Sequence, residues 1–176
     1  MKLSANQGLI KNFSSILDAV GTAAHNIFRI NRSVPFDPIS LLGKGACFWR
    51  GPKDGKGLKG EIEGDARSLA LTEIDLDAID FKSYIPDGQS VISDENRILA
   101  IKTASDIALD PTIGQSLFEE EGQKSLRKLH DRTGVTWMEF LGQPLRSSGG
   151  RRCFLYLYRH SDGSWGWDYF WLVSDR

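Results

Sequence analysis

From Leu9 to Phe28 the hydrophobic positions recur at three- and four-residue steps: Leu9, Ile10, Phe13, Ile16, Leu17, Val20, Ala23, Ala24, Ile27 and Phe28. That spacing gathers them into one helical stripe and predicts a long N-terminal helix. Ser4 followed by Gln7 fits a capping box, which satisfies otherwise orphaned amides at a helix start. Asn31 and the Pro35/Pro38 pair mark the stop. Such a stripe must cover something, and a sheet is the expected partner. Its polar face lacks the Lys/Arg cluster of a membrane-surface helix.

Farther along, glycines 43, 45, 51, 55, 57 and 60 punctuate a short apolar run, Ala46-Cys47-Phe48-Trp49, which reads as a strand followed by a loop. Residues 68–74 and 75–84 alternate in a strand-like way, Pro86-Asp87-Gly88 is a turn, and residues 90–92 and 97–103 read as two further strands. A second helix near 112–132 begins at Asp110-Pro111 or at Ser116, where Glu119 completes a capping box. Its acidic residues Glu119, Glu120 and Glu121 come early and its basic residues Lys124, Arg127, Lys128 and His130 come late, as the helix dipole favours. Gly122 allows a break and Gly134 closes it. Residues 135–141 then form a strand, and residues 143–151 a polar connection. The order predicts a single α+β domain over 1–176: a mainly antiparallel sheet packed by the two helices and ending in a C-terminal β-hairpin.

That hairpin carries the most specific signal. Asp162-Gly163 can supply a two-residue type I′ turn between strand-forming runs. With that loop, His160 faces Trp165, Tyr158 faces Trp167, Tyr156 faces Tyr169 and Phe154 faces Trp171, all on one side because strand side chains alternate. The other side carries Cys153, Leu155, Leu157 and Arg159 against Gly166, Asp168, Phe170 and Leu172. A three- or four-residue loop including Ser161 or Ser164 would shift the register, and a one-residue slip sends one strand's rings to the opposite side. An aromatic wall of this kind can be core beneath a helix, a stacking surface for a ligand, or a protein interface. The candidate binding residues are Tyr156, Tyr158, His160, Trp165, Trp167 and Tyr169.

The chain has 176 residues, 40% of them apolar and 26% charged, which excludes a mostly disordered chain, a collagen and a disulfide-rich miniprotein. The formal net charge is −1, without the basic balance of a dedicated nucleic-acid binder. What remains for phosphate contact is local: Lys44, Arg50, Lys53, Lys56 and Lys59, with Arg146, Arg151 and Arg152. The string from Gly51 to Gly57 is not a nucleotide loop, because its glycine spacing is one residue short and Gly57 stands where Ser or Thr must hold magnesium.

No pattern assembles catalytic or cofactor chemistry. His25, His130 and His160 lack metal-ligand spacing, and Cys47 and Cys153 read as reduced thiols. An odd separation on one strand sends Cys153 and His160 to opposite faces, roughly 23 Å apart. Asp75, Asp77 and Asp80, with Glu73 and Asp87, read as a solvated strand edge. No signal peptide and no apolar span of about 18 residues is present, so a cytoplasmic location is expected. The expectation for function is a small soluble binding protein using the hairpin's aromatic face for a protein partner or for self-association. The alternatives are a small-molecule-binding protein or small enzyme whose aromatic pocket takes a small apolar or aromatic ligand, and weak nucleic-acid contact through the basic loops.

Overall fold

The computed structural model describes residues 26–51, 61–82, 84, 94–104 and 106–172. The N-terminal stripe up to residue 25 lies outside these residues. Its last two apolar positions belong to a strand and not to a helix: β1 (Ile27–Arg29) pairs antiparallel with β3 (Glu73–Asp75), setting Phe28 opposite Ile74. Between them come α1 (Pro38–Leu42), β2 (Cys47–Phe48) and the short α2 (Ala66–Leu69). After β3 follow a 3-10 turn (Leu76–Ala78), α3 (Asp94–Thr103), α4 (Pro111–Glu119), a second 3-10 turn (Glu121–Gln123) and α5 (Lys124–Thr133). The chain ends in β4 (Trp137–Arg146), β5 (Arg152–Arg159) and β6 (Trp165–Trp171). The fold is mixed α and β, with a four-stranded antiparallel sheet in the order β2-β4-β5-β6 and a C-terminal hairpin formed by β5 and β6.

Several local expectations change. Residues 97–103 are helical: Ile98 and Ile101, three apart, are buried while Leu99 between them is 62% exposed, a helical and not an alternating pattern. The strand expected over 68–74 survives only as β3, because Ser68 sits in α2, capped by the Asp65 side chain. The acidic strip turns out of the strand at once, since Asp75 accepts from the Asp77 amide at 2.9 Å and caps the 3-10 turn. The second helix is divided at Gly122 (φ 67°) and Gln123 (φ 50°), where the backbone is left-handed. Glu120 accepts from the Ser125 amide and hydroxyl at 2.6 and 3.0 Å, holding the start of α5. Gly134 (φ 72°) closes α5 as expected, its amide bonded to the His130 carbonyl.

The core lies between α4, α5 and one face of the four-stranded sheet. Ile113, Leu117, Leu126 and Leu129 meet Met138, Phe140, Leu145, Leu155 and Leu157, all nearly inaccessible. Gly114 brings α4 close: a Cβ there would stand 2.8 Å from a Leu155 methyl and 2.9 Å from the Phe140 ring. β4 runs on past residue 141 into the stretch expected to be a connection. Its register with β5 shifts between Phe140 and Leu145, so Leu141–Pro144 form a wide bulge. Pro144 tolerates this place because a bulge does not require its missing amide.

Both cysteines are free thiols. Cys153 is fully buried, donates to the Leu145 carbonyl at 3.7 Å, and is pushed up to about 12 by burial. Alkylation of the native protein near pH 8 should therefore modify half-buried Cys47 long before Cys153, with both reacting in denaturant. Peptide mass spectrometry checks this, and rapid native labelling of Cys153 would contradict its place in the core.

Candidate functional site

The hairpin closes with three loop residues, Ser161-Asp162-Gly163, and not two. The His160 amide donates to the Ser164 carbonyl at 2.8 Å, and the Gly163 amide to the His160 carbonyl at 3.0 Å. Gly163 takes φ 87°, the left-handed residue that ends such a loop. Asp162 accepts from both the Ser164 amide (2.9 Å) and hydroxyl (2.7 Å), and these bonds hold its carboxyl below the usual carboxylate range.

This loop sets Leu157 opposite Trp167 and Tyr158 opposite Gly166. The expected single wall of eight rings is therefore divided, and Tyr158 and Trp167 lie on different faces. Burial explains the outcome. Trp165, Trp167, Tyr169 and Trp171 alternate on the side of Leu155 and Leu157. Trp165 is only 4% exposed, and Trp167 stacks on Phe118 (4.8 Å between ring centres, planes 12° apart) and meets Phe36 edge-on. These rings belong to the core and its margin. Gln123 secures the same end of the strand, accepting from the Trp165 amide at 3.1 Å and donating to its carbonyl at 3.4 Å.

The outer face of the sheet keeps Phe154, Tyr156 and Tyr158 from β5 and His160 just beyond its end, and gains Phe170 from β6 and Trp137 from β4. Phe154 is buried, but the others are wholly or partly accessible, and Trp137 is 46% exposed. Trp137 stacks on Tyr156 at 3.8 Å, Tyr156 meets Tyr158 at 5.8 Å and Phe170 at 6.3 Å, and Tyr158 meets His160 edge-on at 4.6 Å. Gly166 makes room for this layer, since a Cβ there would stand 2.8 Å from both the Tyr158 ring and the His160 Nε2. A ring laid over a cross-strand glycine shields the strand that the glycine weakens.

Three rows of this face cross the strands. Trp137 pairs with Tyr158, which pairs with Gly166; Glu139 pairs with Tyr156, which pairs with Asp168; Phe154 pairs with Phe170. Burial, then the neighbouring Asp168 carboxylate, pushes the Tyr156 hydroxyl above its ordinary range. Glu139 accepts from the Trp137 indole at 3.2 Å. Sequence reasoning missed Trp137, Glu139, Asp168 and Phe170 as one surface. The alternation of Trp137, Glu139 and Leu141 was a signal for the first two, but pairing them with β5 needed the register.

Two clefts lie elsewhere. The larger, about 830 Å³, runs between β3, residues 106–109 and the first half of β4, over Leu109, Leu117, Met138 and Phe140. At its rim Asp106 accepts from the Tyr84 hydroxyl (2.6 Å) and the Lys82 amine (2.9 Å), which hold its carboxyl low. Burial and then Asp106 push Tyr84 up to about 12. The smaller, about 240 Å³, lies between α2, α3 and the β4 bulge, where Arg152 bonds Glu63 at 2.8 Å. Neither is lined by Tyr156, Tyr158 or Trp167.

Of the basic positions, Lys53, Lys56 and Lys59 lie outside the described residues. Lys44 is exposed, Arg50 is half-buried, and Arg146 and Arg152 face one another across β4 and β5. Arg151 sits over the Trp171 ring, 5.5 Å from its centre. Among the described residues no group of three or more His, Cys, Asp or Glu side chains could hold a metal ion. No helix among them is long and apolar enough to cross a membrane.

These features define a mixed α/β protein with an accessible aromatic sheet face. The chain matches no family model, no curated protein and no solved structure.

Proposed function

We propose that this chain is an interaction protein whose outer sheet face, centred on Trp137, Tyr156 and Tyr158, receives a protein partner or a second copy. The observation that carries the reading is the stacked, half-open ring cluster, with Trp137 46% exposed over Tyr156. Tyr and Trp concentrate at interfaces because they add large contact area at little conformational cost, and a few such anchors dominate binding energy. His160 stands at the rim of this surface. Trp165, Trp167 and Tyr169 support it from the opposite face and do not touch the partner. The two clefts are not lined by Tyr156, Tyr158 or Trp167, so small-molecule binding receives less support, although Trp137 and Glu139 also line the larger one; of the basic positions, Arg151 lies over Trp171 and Arg152 over Phe154, each beside a single hairpin ring.

The test compares wild type with a Trp137→Ala/Tyr158→Ala double variant, after thermal melts establish that both fold. Sedimentation over a wide concentration range reads self-association, and paired affinity capture from the native extract reads other partners. Wild type should self-associate or retain a discrete protein, and the double variant should weaken that contact by about 30-fold or more. Monomers and the same retained proteins for both chains would refute the assignment.

A further inference from the structure

We infer that the open edge of β6 pairs with β6 of a second copy, antiparallel and two-fold symmetric about Tyr169, joining two four-stranded sheets into one. This contact lies on the edge of the sheet and does not depend on the reading of its outer face.

β6 ends the sheet, with β5 on one side and, among the described residues, no strand on the other. Hydrogen bonds at both ends of the hairpin fix which way its backbone points. The Leu172 amide donates to the Arg152 carbonyl at 3.0 Å, and the His160 amide to the Ser164 carbonyl at 2.8 Å. Bonded pairs alternate with unbonded ones along an antiparallel ladder, so Gly166, Asp168 and Phe170 bond to β5. Trp165, Trp167, Tyr169 and Trp171 therefore turn their amides and carbonyls to the open edge. Gln123 occupies that edge at Trp165, accepting its amide at 3.1 Å and donating to its carbonyl at 3.4 Å, as a neighbouring strand would. Asp168 accepts the Tyr169 amide at 2.8 Å. Among the described residues nothing bonds the amides of Trp167 and Trp171 or the carbonyls of Trp167, Tyr169 and Trp171.

An edge of unpaired backbone groups is a template for another strand, and proteins blunt such edges with lysine or proline. The seven residues of β6 contain neither. The edge thus takes an extended backbone, and its own sequence supplies one that fits. A two-fold at Tyr169 sets this residue against itself and Trp167 against Trp171 of the second copy, which uses every open position. The pairing stops short of Trp165, where Gln123 already stands. Asp168 comes to lie opposite Phe170 of the second copy, whereas a two-fold at Asp168 would oppose two like charges. The carbonyl of Tyr169 in the second copy takes over the amide that Asp168 holds in the single chain. Such an interface is isologous and closes at two copies.

Sedimentation equilibrium of the full-length chain, from roughly micromolar to millimolar concentration, should show a reversible monomer–dimer exchange. Tyr169→Lys and Tyr169→Glu should each weaken the dimer about tenfold, because like charges then meet on the two-fold, and an equimolar mixture of the two should regain it. Melting curves establish that both variants fold. Wild-type amide exchange gives a readout free of substitutions. The Trp167 and Trp171 amides should exchange more slowly as concentration rises, while those of Gly166 and Phe170, already bonded to β5, should not change. A monomer throughout, a dimer indifferent to either charge, a mixture that does not recover, or edge amides whose exchange ignores concentration would overturn the inference. A dimer kept in Tyr169→Lys but lost in the Trp137→Ala/Tyr158→Ala variant would overturn it too, and would assign self-association to the outer face.

Discussion

Replacing Asp110 with Ala should cost about 3–5 kcal/mol, the penalty for leaving one half of a buried ion pair behind. The carboxylate is fully buried and every contact around it is a strong one. Arg32 grips both oxygens at 2.8 Å, the Ser68 hydroxyl donates to one at 2.8 Å, and the Thr112 amide donates to the other at 3.0 Å. The Asp110 amide in turn donates to the Ser68 hydroxyl at 2.8 Å. Arg32 also donates to the Leu71 and Ser68 carbonyls at 2.8 and 2.7 Å, so its guanidinium cannot swing out to water without breaking further bonds. One residue thereby caps α4 and ties it to α2 and to the turn after β1. Truncation removes the cap, typically worth about 1 kcal/mol, and strands a positive charge at 23% exposure. Against a total stability of order 5–15 kcal/mol, such a loss leaves a marginal fold. Urea midpoints at constant m-value measure it. Asp110→Asn, which keeps the cap and the shape, should lose less. An Arg32→Met/Asp110→Leu pair should lose less than the sum of its two single changes, because it removes both charges together. A loss under about 1 kcal/mol for Asp110→Ala would mean that water reaches the site and that the clamp is not structural.

How much of this was legible in the chain depends on the range of the interaction that decides it. Asp110-Pro111 announces a helix start locally, and the helix does start there. Its partners Arg32 and Ser68 stand 78 and 42 positions away, and nothing local ties an Arg or a Ser to that carboxylate. The hairpin was legible as a hairpin, but Asp162-Gly163 is compatible with a two-residue and a three-residue loop alike. The choice falls to packing: only the three-residue loop buries Trp165, stacks Trp167 on Phe118 of α4, and lays Tyr158 over Gly166. A shift of one position then exchanged half the rings between faces, as the period of two demands. Residues 97–103 misled for a related reason. The apolar run Ile98-Leu99-Ala100-Ile101 fits a short strand, and only the burial of Ile98 and Ile101 with Leu99 outside makes it a helix. The candidate surface was accordingly half visible: Tyr156, Tyr158 and His160 could be placed together from the strand pattern, whereas Trp137 and Asp168 entered through pairings that no local rule encodes.

The β4 bulge supplies the second large effect, and it concerns a single hydrogen-to-methyl change. Gly142 lies where two stretches of main chain pass against it: its amide donates to the Leu109 carbonyl at 2.8 Å, and its carbonyl accepts the Asp65 amide at 2.6 Å. A Cβ at this position would stand 2.7 Å from the Leu109 carbonyl carbon and 2.8 Å from the Asp110 nitrogen, and it would collide with the Ala108 carbonyl oxygen. All three obstacles are backbone, which cannot rotate aside as a side chain can, so overpacking should reach or exceed the usual range of about 1–3 kcal/mol. The displaced segment also carries Asp110, so the ion-pair clamp on Arg32 should loosen with it. Gly114→Ala is the matched control. Its new methyl would crowd the Leu155 methyl at 2.8 Å and the Phe140 ring at 2.9 Å, both side-chain atoms with some freedom to move. An Ala within a helix also recovers up to about 1 kcal/mol of propensity over Gly. Urea denaturation should therefore place Gly142→Ala well below Gly114→Ala in stability. Amide exchange should show the largest loss of protection at Asp65, Asp110 and Thr112. Equal midpoints for the two variants would mean that the bulge and residues 108–110 do not touch. The β4 register, and with it the position of Trp137 on the outer face, would then need revision.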